Sequence, residues 1–181
     1  QDHYVVRVVH RLKSGQQTIN QLARPPQVMF EAMKWLLKGN GALTFGVTSA
    51  QVFCRSREGL ASPDLQLLFT PASYDQGRLG HLEKLPGASV AICPVRPQSR
   101  GTIMAASADP LARPVIRPRY LSAEDDYRVL SAGIAHARNI FATDAFQAIS
   151  EGELMPGPEK TSPEDLREFA RAHGATIYHP I

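Results

Sequence analysis

From Tyr4 to Leu12 the chain alternates, with Tyr4, Val6, Val8, His10 and Leu12 on one side and Arg7 and Arg11 on the other. A period of two predicts a strand with one buried face. Lys13-Ser14-Gly15-Gln16 then turns the chain. After Pro25-Pro26 the period changes: Val28, Met29, Ala32, Trp35 and Leu36 recur at helical spacing, and Gly39-Asn40-Gly41 closes the run. This predicts a helix whose apolar stripe, Trp35 included, faces the core, with Met29 and Met33 as filler. Residues 43–54 are uncharged and rich in Val, Phe and Thr, which predicts a buried strand. Leu65, Leu67 and Phe69 alternate with Gln66 and Thr70, predicting a strand that runs to about Tyr74. Residues 88–95 and 102–105 read as two more strands, joined by the tight 96–101 connection. Asp109-Pro110 and Arg117-Pro118 punctuate a proline-rich crossing in which Val115-Ile116 can pair briefly.

Two helices follow. Ser122 with Asp125 resembles a capping box, and Tyr127, Leu130, Ile134, Ala137 and Phe141 then keep one apolar face. Ser162-Pro163-Glu164-Asp165 repeats the start signal, Leu166, Phe169 and Ala170 form the stripe, and Gly174 ends it. Strands dominate the first two-thirds and helices the last third. That order predicts an α+β fold, a mostly antiparallel β-sheet backed by helices.

Composition narrows the function classes. With 181 residues, 43% hydrophobic and 20% charged, the chain can bury one core, and residues 1–181 read as a single domain. A net charge of +3 from dispersed basic residues argues against nucleic acid as a partner. No apolar run approaches membrane-spanning length, so no transmembrane segment is expected, and Gln1 does not open a signal peptide. Cys54 and Cys93 read as reduced, buried thiols, which fits a cytoplasmic protein. The chemical signals are sparse. No phosphate-cradling glycine motif, nucleophile elbow or metal-ligand spacing is present, so no metal is expected. Glu124-Asp125-Asp126 sits where a helix N-terminus favours negative charge. The six histidines are scattered, and each alone reads as a surface or core residue. His179 differs in one respect: Pro180 follows it and biases its backbone towards an extended conformation.

Longer motifs carry more. The run Pro94-Val95-Arg96-Pro97-Gln98-Ser99-Arg100-Gly101-Thr102-Ile103 is followed by Ser107-Ala108-Asp109-Pro110 and Pro114-Val115-Ile116-Arg117-Pro118-Arg119-Tyr120-Leu121. Gln1-Asp2-His3, Pro63-Asp64-Leu65-Gln66, Leu154-Met155-Pro156-Gly157-Pro158 and Thr176-Ile177-Tyr178-His179-Pro180 complete the series. Together these resemble, in family order, the C-terminal signature of the glucose–methanol–choline (GMC) oxidoreductases. The likeness is greatest to the choline-dehydrogenase-like, bacterial alcohol-dehydrogenase branch.

The resemblance implies a substrate-binding domain of a larger FAD-dependent enzyme that oxidises alcohols. The FAD-binding domain's dinucleotide fingerprint would lie upstream of Gln1, and a second catalytic His or Asn downstream of Ile181. His179 matches the family's general base beside the flavin, and so is both the catalytic and the cofactor-facing candidate. Choline-specific members carry a glutamate where this chain has Ser49 and a histidine where it has Leu68, so an uncharged, fairly apolar small alcohol is expected. Tyr74, Ile177 and Tyr178 are the expected pocket walls, while Arg96 and Arg100 are expected to fix their turn through buried contacts. The alternative is a non-catalytic, stand-alone binding module that reuses the fold. Without a phosphate-binding loop, residues 1–181 alone should be inactive and should not retain FAD on purification; a yellow, stoichiometrically flavinylated preparation would contradict this.

Overall fold

The computed structural model describes residues 2–75 and 80–180, with His179 and Pro180 described by backbone alone. Strand β1 (Asp2–Leu12) is apolar on both faces, and Val6, Val8 and Leu12 on one side and Val5 and Val9 on the other are all buried. Such a strand belongs in a sheet interior. Along one edge it pairs antiparallel with β4 (Gly87–Pro94), which pairs with β3 (Leu65–Thr70), which pairs with the edge strand β2 (Ala50–Cys54). Its other edge is divided: β8 (Ala175–Pro180) pairs along Asp2–Val5 and β7 (Ser150–Met155) along Val9–Leu12. The sheet order is therefore β2-β3-β4-β1-β7, with β8 also joined to β1. A separate two-stranded ribbon is made by β5 (Thr102–Met104) and β6 (Val115–Arg117), so Val115-Ile116 does pair.

One face of this sheet carries the core. Val6, Val8, Leu65, Leu67, Val90 and Ile92 meet helix α3 (Glu124–Phe141), whose Tyr127, Leu130, Ile134, Ala137 and Phe141 are buried at the expected spacing. Gly133 lets α3 approach the sheet: a Cβ there would fall 2.3 Å from Ile92 Cγ2. Helix α5 (Pro163–His173) adds Leu166, Phe169 and Ala170, and begins with the Ser162–Asp165 capping box. The architecture is α+β, an antiparallel sheet backed by helices, as expected.

Several local expectations fail, each for a tertiary reason. Helix α2 (Gln27–Lys38) forms and ends at Gly39 in the left-handed conformation, but it packs on the short α1 (Ile19–Leu22) and on a 3-10 turn (Ala42–Thr44), away from the core. Met29 is 65%, Met33 56% and Trp35 50% exposed, so none is core. The covered side instead buries Glu31, which accepts from the Ala42 amide and from Lys34. The strand expected over 43–54 is only β2, and Val52 and Phe53 are exposed because β2 is an edge. Strand β3 stops at Thr70, beyond which Tyr74 makes a single bridge to Leu82. The Ser122–Asp125 box does not form: the N-cap is Ala123, whose amide donates to Ser99 Oγ at 3.0 Å. Strand β7 and the short helix α4 (Asp144–Gln147) were not apparent from periodicity.

His10 marks where β1, α3 and β7 meet. Its ring stacks on Phe141 (centroids 4.0 Å, 17°), Nδ1 lies 3.0 Å from Ser150 Oγ, and Nε2 lies 3.9 Å from Glu153. Burial holds this imidazole below the ordinary histidine value, Glu153 opposing and Arg138 reinforcing the effect. The unfolded chain therefore takes up a proton at about pH 6.5 that the folded chain refuses, and stability falls as pH drops below that point. Urea unfolding of wild type and His10→Gln between pH 7.5 and 5 should show a shallower acid loss in the variant. Parallel profiles would exclude His10 as the cause.

Candidate active-site face and the β8 edge

The face opposite α3 is where the candidate substrate residues gather. In register, Gln51 of β2, Leu68 of β3, Ala91 of β4 and Arg7 of β1 form one cross-strand row. The adjacent row, Leu67, Ile92 and Val6, enters the core, so strand alternation places the Leu68 row on the other side. Ser49 lies two residues before Gln51, is exposed, and donates its amide to Phe69 O at 2.9 Å. Leu68 and Tyr74 are half-buried. The Arg7 guanidinium lies 6.0 Å from the centroid of the Tyr74 ring. Burial raises the Tyr74 phenol above its ordinary value, against the nearby Arg7 charge. Cys93, on the same face, is fully buried, and burial pushes its thiol up to about 11, so it carries no thiolate reactivity at neutral pH.

Strand β8 supplies the other group. Asp2 binds it through one carboxylate oxygen, Oδ2, which accepts from Thr176 Oγ1 at 2.5 Å and from the Tyr120 hydroxyl. Desolvation opposes ionisation of this carboxyl, but hydrogen bonds from Thr176, Tyr120 and the His3 amide hold it below the usual carboxylate range. Arg119 and Leu121 both adopt left-handed backbone (φ 50° and 55°) on either side of Tyr120. Thr176 Oγ1 also accepts the Tyr178 amide at 2.9 Å. Tyr178 itself has φ 63°, a conformation disfavoured by roughly 1–2 kcal/mol for a residue with a Cβ. The β1–β8 register shifts between Asp2 and Tyr4, and the chain is re-aimed there.

Beside this edge lies a cavity of about 590 Å³, lined by Asp2, Tyr4, Ile103, Ile116, Tyr120 and Tyr178 among others. Its wall is held by Asp126, whose carboxylate accepts from the Gln98 and Ser99 amides (2.7 and 3.0 Å) and from Ser99 Oγ (2.5 Å). Arg100 does fix its turn, donating to Pro97 O and Ser99 O, but it and Arg96 are exposed rather than buried.

The structure thus brings Ser49, Leu68 and Tyr74 to one sheet face and puts Tyr178 in the wall of a cavity at the β8 edge. Ile177 is half-buried in β8. The backbone of His179 lies in β8, and its side chain is outside the described residues. Sequence reasoning passed over two features. Arg7 was legible as a lone charge inside an apolar strand, although not as part of the Leu68 row. The Asp2–Thr176–Tyr120 cluster spans separations of 174 and 118 residues and left no local signal. Among the described residues no His, Cys, Asp and Glu cluster could hold a metal, and no helix is long and apolar enough to cross a membrane.

Comparison with known proteins agrees with this architecture. The GMC oxidoreductase family model matches residues 97–181. An alcohol dehydrogenase [acceptor] of Pseudomonas putida is 33% identical over 160 residues, covering 86% of this chain and 28% of that protein. An oxygen-dependent choline dehydrogenase of Staphylococcus xylosus is 32% identical over 185 residues, covering 99% of this chain and 32% of the relative. The formate oxidase of Aspergillus oryzae RIB40 shares the fold with a TM-score of 0.83 at 20% identity, over 99% of this chain and 36% of that one. Pyridoxine 4-oxidase from Mesorbium loti does so with a TM-score of 0.73 at 17% identity, over 99% and 31%. Residues 97–181 belong to the GMC oxidoreductases, a flavoprotein oxidoreductase family, and the relatives extend the likeness over the rest of the chain. The chain spans about a third or less of the length of these curated relatives.

Replacing Asp2 by Ala removes the shared acceptor of Thr176 and Tyr120, at a cost on the order of 1 kcal/mol. Hydrogen exchange should then speed up in residues 175–178 while β3 and β4 keep their protection. Unchanged exchange in β8 would show that Asp2 does not tether it.

Proposed function

We propose that the chain is the substrate-binding domain of an FAD-dependent oxidoreductase that converts an alcohol CH–OH group to the aldehyde. A separate FAD-binding domain completes the enzyme, and this domain alone is not competent. The single observation that supports the reading most is the placement of β8: its pre-proline His179 continues a strand latched to β1 by Asp2, in the same sheet that carries Leu68. When bound, FAD supplies the acceptor for the carbinol hydride. On β2, β3 and β4 the open-face positions Gln51, Gln66, Leu68 and Ala91 are uncharged, which fits a planar, largely apolar ring system lying against that part of the sheet, while Arg7 of β1 is the charge at its side.

In this reading His179 is the general base. An alcohol is a poor hydride donor until its hydroxyl proton is lost, and the neutral imidazole takes that proton as the C–H bond breaks. A pre-proline position on a latched strand restricts where the ring can be, which suits a base that must meet a reacting atom. Ser49, Leu68, Tyr74, Ile177 and Tyr178 contact the alcohol. Ser49 and Leu68 stand where choline-specific members carry a glutamate and a histidine, so the site lacks the carboxylate that choline would need. Two free thiols, Cys54 half-buried and Cys93 buried, fit a reducing, cytoplasmic setting.

His179→Ala in the full-length holoenzyme tests the reading. Stopped-flow reduction of the flavin by alcohol should slow by about 10²–10⁴-fold, the contribution of a positioned acid–base group, with little change in alcohol binding. Unchanged reduction would remove His179 from the mechanism.

A further inference from the structure

Arg7 stands apart from the other partly buried arginines. Arg11, two side-chain positions further along the same strand face beyond Val9, is paired with Glu83 at 2.9 Å. Arg138 is closed by Glu153 at 2.8 Å and Arg167 by Glu124. Arg24 donates to the carbonyls of Asn20, Leu82 and Glu83. Arg7 is half-buried among Val5, Val9 and Cys93, yet no carboxylate or carbonyl meets its guanidinium among the described residues. Residues 76–79, which follow the Tyr74 loop, contain no Asp or Glu either. Among the described residues its guanidinium meets the Tyr74 ring and no hydrogen-bond acceptor, which leaves the fork of donors open.

Solvent reaches the Arg7 guanidinium, so its fork of donors is open to an anionic group. Its place in the sheet identifies what that is. Arg7 lies in the same cross-strand row as Leu68, two strands away across Ala91. At a strand spacing of roughly 4.8 Å, the two backbones are about 10 Å apart on one face. That is the length of a medium-chain substrate, and an arginine fork matches a carboxylate in two parallel hydrogen bonds.

We propose that Arg7 is a specificity-determining residue and that the alcohol carries a carboxylate, an ω-hydroxy acid rather than an uncharged alcohol. The proposal rests on the reading of this sheet face as the substrate face. Tyr74 lies beside the guanidinium, 6.0 Å from ring centroid to its carbon, and Arg7 takes the carboxylate while the CH–OH end extends along the row towards Leu68.

The test uses the full-length holoenzyme with ω-hydroxycarboxylates of four to eight carbons and 1-alkanols of equal length. The wild type should favour the hydroxy acid at one chain length or more. In Arg7→Gln the ratio of kcat/KM for acid over alkanol should fall by roughly tenfold or more, mainly through KM, with Arg7→Lys recovering part of it. A wild type that prefers alkanols throughout, or a variant that loses both series in parallel, overturns the proposal. A second arm reads binding alone: hexanoate titrated by calorimetry into full-length protein should bind the wild type and lose roughly tenfold in Arg7→Gln. Equal binding overturns the proposal even if the enzyme oxidises alcohols. If hexanoate binding depends on Arg7 but no alcohol reduces the flavin, the anion site stands and the oxidoreductase reading falls.

Discussion

Everything in this domain depends on the hydrogen-bonding capacity of one strand. β1 must satisfy two edges in the sheet interior, because a buried unpaired amide or carbonyl costs as much as a lost hydrogen bond. On one side β4 does this in an unbroken register from Val6 to Arg11. On the other, two strands from the C-terminal third share the work, β8 first and β7 after it, with register shifts at both. The division is why the segment that carries His179 lies beside the sheet at all. β8 has a short ladder, so its position also relies on the Asp2 carboxylate, which joins β1, Thr176 and Tyr120 at a single oxygen.

Carboxylates play the same part elsewhere. Asp126 accepts two backbone amides of the 97–101 turn, Asp64 accepts the Ser56 amide and hydroxyl, and Glu153 accepts the Gly157 amide as well as Arg138. Glu31 does so for Ala42. In each case a loop whose backbone has no ladder partner is held by a charge-assisted acceptor on a regular element. Loops with few apolar residues thereby hold definite positions without a core of their own. Among the partly buried arginines of the described residues, Arg7 has neither a carboxylate nor a carbonyl partner.

Periodicity was a good guide wherever an element packs against the main core. The stripe from Tyr127 to Phe141, the α5 stripe and the alternation of β3 read through because each buries one face against a neighbour in this chain, whereas β1, expected to bury one face, buries both because it lies inside the sheet. It misled at α2 and β2. An amphipathic pattern reports that an apolar face exists and not what covers it, and Met29, Met33, Trp35 and Phe53 remain exposed here. β7 escaped notice because Ser150–Met155 mixes glutamates and a glycine among its apolar residues, and two register shifts interrupt its pairing with β1.

The sequence by itself determined the fold class, the main helices and, through ordered motifs, the GMC oxidoreductase family and the identity of the candidate residues. Those are properties of local propensity and of residue type in order along the chain. Only the tertiary structure decided which residues share a face. Side-chain direction in a strand alternates, so facing depends on register with partners far away in sequence, and register is a property of paired strands. That is how Leu68 and Arg7 came into one row, and how Asp2 came to hold a strand that begins more than 170 residues later.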